Sequence, residues 1–249
     1  MYRMIFDYHT HTIYSRNHHG KGTIEENVQA AIAKGLKGIA ITDHGPGHLT
    51  YGVRRSKFPE IRREIDRLKA AYPQIEIYLG VEANIRSGGN YLDVTDADRK
   101  YLDFIIAGYH YGITKGYCLP NWLYDHGAGR TEKRRRALSD RNTEIYLGAI
   151  EHNDIKILTH PGDKAPVDMA AIAKACARND VWMEISTHHK HLTREEIEIC
   201  MKEDVKFVIS SDAHRPQMVG TFEAGVERAL AAGLDPDRIV NIEETEGKK

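Results

Sequence analysis

The sequence predicts an α/β protein, a single domain built as a barrel of seven parallel strands alternating with helices. Three observations lead there. Short apolar runs alternate with amphipathic stretches, the pattern of β-α units feeding a parallel sheet. The chain has 249 residues, and barrels of roughly 250 residues form one domain. Each apolar run ends at or beside a histidine, aspartate or glutamate, as expected where all strand C-termini open onto one face.

Strands are predicted at Met4–Tyr8, Gly38–Thr42, Glu76–Val81, Phe104–Gly108, Ile157–Thr159, Trp182–Ile185 and Phe207–Ser210. Thr23 and Glu26 stand at capping-box spacing before a helix over Ile24–Lys34. Ile61, Ile65 and Leu68 give Phe58–Ala71 a helical apolar stripe. Similar spacing marks Thr143–Glu151, Val167–Arg178, Arg194–Glu203 and Phe222–Ala232, the last closed by Gly233 and then Pro236. Tyr111–Asn142 breaks the rhythm with Gly112, Gly116, Pro120, Gly127 and Gly129 ahead of a basic run, Lys133 to Arg136. An insertion of this length covers a site or moves. The basic run reads first as a solvated helix face.

Composition narrows the function classes. A formal net charge of -1 with 29% charged residues gives no pull toward polyanions, so neither nucleic acid nor a membrane surface is an expected partner. The chain reaches Asp7 too early for a signal-peptide apolar core, and no run approaches bilayer length, so a cytoplasmic location is expected. Cys118, Cys176 and Cys200 lack C-x-x-C spacing, which argues against a disulfide framework or a thiolate zinc site.

The 14 histidines are unevenly placed. His9 and His11 follow the first strand two residues apart, so both imidazoles lie on one side of an extended chain and can converge on one ion. Asp43 and His44 end the second strand, Glu82 the third, His110 the fourth and His160 the fifth. Glu184 lies on the sixth, and Asp212 with His214 ends the seventh. Taken singly, each would read as a hydrogen-bonded core residue, but seven in series would bury ionisable groups without partners unless cations compensate. Nitrogen and carboxylate donors without thiolate suit zinc first, with manganese or iron as alternatives.

His9-Thr-His11, Thr42-Asp-His44, Gly80-Val-Glu82 and Ser211-Asp-Ala-His214 resemble the four signatures of the PHP (polymerase and histidinol phosphatase) family. Ala107-Gly-Tyr-His110 and Thr159-His-Pro-Gly162 extend the similarity over nearly the whole chain. The nearest branch is the small stand-alone bacterial phosphatases. That resemblance implies a distorted (βα)7 TIM-like barrel over residues 1–249, with an insertion near 111–142, and three divalent metal ions. Carried over, it implies one metal on His9, His11, Glu82 and Asp212, with Glu82 bridging to a second on His110 and His160. A third would take His44, His214 and a histidine of the loop after the first strand: His19 by its distance from Thr23, with His18 the alternative. The implied activity is hydrolysis of small phosphate monoesters by a metal-activated hydroxide, with Glu82, Asp212 and His214 as catalytic residues. Histidinol phosphate is one family substrate. Sugar phosphates, nucleotides and aryl phosphates fit as well. A nuclease and a noncatalytic metal-binding module are the alternatives.

Other polar residues carry smaller expectations. Asp43 reads as a carboxylate orienting a histidine ligand, and the role of Glu184 stays open among orienting acid, bridge and buried backbone acceptor. Arg54, Arg55, Arg141 and Arg215 are candidate phosphate clamps, each also readable as solvated surface. His188, His189 and His191 are candidates for substrate contact or proton transfer, with a surface reading slightly preferred. His48 and His126 are candidates for the rim, and His152 for a helix C-terminus.

Overall fold

A computed structural model describes residues 1–245, so the last four residues of the expected domain lie outside the described part. Eight short strands run parallel around the centre: β2 (Phe6–Asp7), β3 (Gly38–Ile41), β4 (Glu76–Leu79), β5 (Glu82–Asn84), β6 (Ile106–Gly108), β7 (Ile157–Leu158), β8 (Trp182–Ser186) and β9 (Phe207–Ser210). They pair in the orders β2-β3-β4 and β5-β6-β7-β8-β9. A separate antiparallel ribbon joins β1 (Tyr2–Met4) to β10 (Ile242–Glu244).

β4 takes the place of the strand predicted over Glu76–Val81, and the chain continues past it as a second strand, β5, that was not predicted. The break falls at Gly80, where an added Cβ would lie 2.9 Å from Thr42 Cγ2 and 3.1 Å from Phe104 Cε2. Glu82 N then donates to both Thr42 O and Asp43 O, at 3.2 and 3.1 Å. This local rearrangement aims the Glu82 side chain into the barrel, as bulges beside active sites do.

The two ends of the strand series, β2 and β9, do not pair as a regular ladder. Beyond the strand ends, His11 N donates to Ala213 O (2.8 Å) and Ala213 N to His9 O (3.3 Å). Lower down, the amide of buried Asn241 fills the gap. Its Nδ2 donates to Phe6 O at 2.7 Å and Ile209 O at 2.6 Å, and its Oδ1 accepts from Ile209 N at 3.0 Å. A side chain thus substitutes for missing backbone partners, which a buried sheet edge requires. The result is the distorted α/β barrel expected.

Strand periodicity layers the interior. Ile106, Ile157 and Val208 form an apolar plug at the base with Tyr8, Phe104 and Trp182 packed against it. Two residues further along the same strands come Gly108, Thr159, Glu184 and Ser210, and beyond them His110 and Asp212. An apolar floor therefore gives way to a polar upper layer, because inward positions recur every second residue. Gly108 is required by this crowding: a Cβ there would sit 2.2 Å from Thr159 Oγ1 and 2.9 Å from His160 Cε1.

Helices α1 (Ile24–Ala33), α2 (Phe58–Ala71), α6 (Met169–Arg178), α7 (Arg194–Cys200) and α8 (Glu223–Ala231) stand where periodicity places them, with ends shifted by caps. Asp168 accepts from Ala170 N and Ala171 N, so α6 starts at Met169 rather than Val167. Two short helices were not predicted, α3 (Asp96–Arg99) and α4 (Cys118–Asp125). The helix expected from Thr143 begins earlier: α5 covers Glu132–His152, capped by Thr131. The insertion is therefore largely helical, since no glycine or proline follows Gly129 until Gly148. Its basic run is a solvated helix face as expected, with Lys133, Arg135 and Arg136 exposed on α5. Among the described residues no helix is long and apolar enough to cross a membrane.

Candidate metal centre

His9, His11, His44, Glu82, His110, His160 and Asp212 are all buried at the upper end of the barrel, with His19 and His214 half-buried above them. They line or underlie a cavity of about 660 Å³. His160 and Asp212 hold positive φ values of 30° and 49°, a strained backbone that persists where surrounding contacts fix it.

Four donor side chains crowd together, and His9, His11 and Asp212 each place one atom within 4.8 Å of the other two. His9 Nε2 and His11 Nε2 are 3.1 Å apart. His9 Nε2 lies 3.4 Å from Glu82 Oε2 and 3.5 Å from Asp212 Oδ1, and His11 Nε2 lies 3.6 and 3.1 Å from the same atoms. These nitrogen-to-oxygen spacings are close to the edges of about 3.3–3.6 Å that metal bonds of about 2.0–2.2 Å imply. Glu82 Oε2 and Asp212 Oδ1 accept no well-directed hydrogen bond although imidazole nitrogens crowd them, and both ring nitrogens of His44 are likewise without one. Buried carboxylate oxygens left in that condition are costly unless a cation sits among them. The donor set therefore fits a divalent metal.

The other oxygen of Glu82 faces a second group. Oε1 lies 2.8 Å from His160 Nε2 and 3.3 Å from His110 Nε2. Above both groups, His214 Nε2 and His19 Nε2 meet at 3.0 Å. The His44 ring is 4.9 Å from that of His19 and 5.9 Å from that of His214. His44 also turns Nδ1 to within 2.9 Å of Glu82 Oε2, and one nitrogen each of His11, His44 and His214 falls within 4.8 Å of the other two. His19 is stacked on Tyr51, ring centroids 3.8 Å apart, whereas His18 is exposed.

An outer layer of hydrogen bonds orients these rings. Glu184 Oε1 lies 2.7 Å from His9 Nδ1, and its Oε2 accepts from His160 N at 2.8 Å, so it is both an orienting acid and a backbone acceptor. Asn84 Oδ1 meets His110 Nδ1 at 2.9 Å, and Asn84 is itself held by Asp93. Asp43 departs from expectation. Its carboxylate accepts from Thr12 N, Thr12 Oγ1, Ser15 N and Ser15 Oγ and touches no imidazole. Its influence passes through Ser15, whose Oγ lies 3.2 Å from His11 Nδ1. Asp7 ties Ser211 and Gly220 to the first strand, which sets the turn carrying Asp212. Changing Glu184 to glutamine is expected to weaken metal affinity by about 10- to 100-fold, because ring orientation and basicity at His9 depend on it. Titration of the purified variant with a chelator of known affinity measures this, and wild-type affinity would refute it.

Burial and neighbouring charge set the protonation of these groups. Burial, joined by neighbouring His44 and His214, holds His11 well below the ordinary histidine range and His19 at about 3. Burial likewise puts His110 at about 3. Burial would raise Glu82 and Asp212, but the surrounding histidines win and hold both well below the usual carboxylate range. His9 differs: burial would lower it, but the carboxylates of Glu184, Glu82 and Asp212 raise it well above the ordinary histidine range. His11, His19 and His110 are thus neutral imidazoles of the kind ligation requires, whereas His9 must give up its proton to become a ligand.

Several expected contacts are not made. Arg55 pairs with Asp98 and donates to Asp93 O at 2.6 Å, Arg141 pairs with Glu144 on the outside of α5, and Arg54 lines a separate hollow beside His18 and Lys57. None of the three reaches the cavity, because each has a local partner or a solvated direction to follow; Arg215 does line it. His48 is in the wall, but His126 is stacked on Trp122 outside it and His191 is paired with Glu196. His152 bonds Gly148 O near the end of α5. The surface reading of His189 is corrected: its Nε2 lies 3.1 Å from Asp212 Oδ2 and its Nδ1 3.2 Å from Asp163 Oδ2. Burial would lower His189, but these two carboxylates raise it to about 9. Asp163 escaped the sequence reading although it follows His160 by three residues. Asn84 escaped it too, although it shares a strand face with Glu82.

A parallel α/β barrel with imidazoles and carboxylates converging at its strand ends has the frame and donor chemistry of a metallohydrolase. The model of the PHP domain family matches residues 7–197, and the chain belongs to that family. It is 28% identical over 253 residues to a protein of Shewanella frigidimarina named "Probable phosphatase", covering 96% of this chain and 89% of that one. A relative so named from a Thermoanaerobacter species is 29% identical over 255 residues, at 97% and 91% coverage. In fold the chain resembles histidinol phosphate phosphatase from Lactococcus lactis, solved with zinc, L-histidinol and phosphate (TM-score 0.62, 17% identity, 93% of this chain and 95% of that one). It also resembles a Listeria monocytogenes protein provisionally described as a histidinol phosphatase (TM-score 0.67, 18% identity, 86% and 97% coverage).

Proposed function

We propose that this chain hydrolyses small phosphate monoesters at a centre of three divalent metal ions, zinc in first place. It is a phosphoric ester hydrolase, in keeping with its family and its relatives named as phosphatases. The observation that carries the proposal is the convergence of His9, His11, Glu82 and Asp212: each Nε2 lies 3.1–3.6 Å from the other and from both carboxylates, and the facing oxygens, Glu82 Oε2 and Asp212 Oδ1, accept no well-directed hydrogen bond.

Under this reading His9, His11, Glu82 and Asp212 hold one ion, Glu82 shares a second with His110 and His160, and His19, His44 and His214 hold the third. Bound there, divalent cations supply Lewis acidity toward phosphoryl oxygens and make water nucleophilic near neutral pH. The chain's own part is to place the donors, fix their tautomers through Glu184, Asn84 and Ser15, and keep a cavity open above them. No side-chain nucleophile is required: burial pushes the Cys200 thiol up to about 12 and the Cys176 thiol higher still, which makes both poor attackers. The same proposal takes residues 1–249 as one domain in the cytoplasm.

Chelation followed by gel filtration is expected to lower p-nitrophenyl phosphate hydrolysis by about 10³-fold, with recovery on adding zinc or manganese. The protein should also melt at lower temperature once stripped, since a ligand that binds only the folded state stabilises it. Full activity in metal-free protein would end the proposal. Faster degradation of single-stranded DNA than of small esters would replace it with a nuclease.

A further inference from the structure

The wall of the cavity around the metal centre is charged in one sense. Glu82 and Asp212 are the carboxylates that line it among the described residues, and both belong to the centre. The lysine and arginine side chains of the lining are Lys21, Lys164 and Arg215. Acids near the rim are already engaged. Asp163 Oδ2 lies 2.6 Å from Lys164 Nζ and 3.2 Å from His189 Nδ1, Glu196 pairs with His191 at 2.9 Å, and Asp125 accepts from Tyr111 OH at 3.2 Å.

Lys164 is thus partly neutralised, but Lys21 and Arg215 are not. Neither has a carboxylate within 4.0 Å among the described residues. The backbone sets them next to each other, because Lys21 N donates to His214 O at 2.8 Å and Arg215 follows His214 directly. The scissile phosphate belongs at the buried donors below, which leaves this pair of cations to the rest of the substrate.

We infer that the site selects phosphomonoesters whose leaving group carries a second anion, a carboxylate or another phosphate, bound at the Lys21 and Arg215 rim. The inference rests on the phosphatase reading above and gives it a substrate class. An anionic group gains two charge-assisted partners there. A leaving group bearing an ammonium or imidazolium finds no free carboxylate and meets like charge instead, the arrangement by which sites reject wrong ligands.

The metal-loaded full chain is assayed at one pH and ionic strength with 3-phosphoglycerate, 1,3-propanediol bisphosphate, glycerol 3-phosphate, phosphoethanolamine and histidinol phosphate. At least one of the first two is expected to exceed glycerol 3-phosphate in kcat/KM by about tenfold, with the two amines at or below it. Which of the two leads identifies the second anion as carboxylate or phosphate. Lys21→Met and Arg215→Met should each lower kcat/KM for that ester by about three- to tenfold, mainly through KM, and lower it less for glycerol 3-phosphate. Rates independent of leaving-group charge, equal losses across the panel in both variants, or a preference for histidinol phosphate would overturn the inference while leaving the phosphatase reading intact. No hydrolysis of any ester, p-nitrophenyl phosphate included, would overturn the phosphatase reading and this inference with it.

Discussion

Replacing Glu82 by glutamine is expected to cut phosphatase turnover by about 10³-fold and to strip most bound metal while the fold survives. Glu82 faces five of the imidazole donors: Oε2 is 2.9–3.6 Å from nitrogens of His9, His11 and His44, and Oε1 is 2.8–3.3 Å from those of His160 and His110. Glutamine keeps the volume but removes the charge and turns one acceptor into a donor. In the stripped protein that donor can bond an imidazole lone pair, so the barrel has no reason to unfold. Elemental analysis, steady-state rates and circular dichroism on the same preparation test the point. A variant with native secondary structure, wild-type metal content and wild-type turnover would show that Glu82 has only a structural role.

Asn241→Leu should destabilise the chain by about 4 kcal/mol without touching the cavity, since each buried group left unpaired costs about 1–3 kcal/mol. The amide serves three buried backbone groups between β2 and β9: Phe6 O, Ile209 O and Ile209 N. Leucine fills the same space but serves none of them. Urea unfolding measured with metal removed isolates this effect from ligand stabilisation. A loss under about 1 kcal/mol would mean that the two strand edges are held mainly by the His11 to Ala213 bonds and by packing.

These residues differ in how visible they were. Glu82 is legible because it ends an apolar run in register with other strand-end ligands, and a parallel barrel brings all such ends to one face. Asn241 carries no comparable signal. Its importance depends on a gap between the first and last barrel strands, which lie near opposite ends of the chain, and β1 and β10 were missed for the same reason. The helical start of α5 was obscured by the glycines just before it, although Thr131 and the glycine-free stretch that follows are local cues.

The candidate site divides along a similar line. Strand alternation fixed which way Glu82, Asn84 and Glu184 point. Side chains off the strands carry no such constraint, so Arg55 found Asp98, Arg141 on α5 found Glu144, and His189 turned inward to Asp163 and Asp212.

By itself the sequence determined the α/β barrel, the donor residues at its strand ends and the family resemblance, because those depend on short-range periodicity and on residue type. Only the tertiary structure decided how the barrel's edges are joined, which histidine of the first loop meets His214, and which cations face the cavity. Those outcomes depend on distances between segments remote in sequence, and on the competition of each side chain between a local partner and the site.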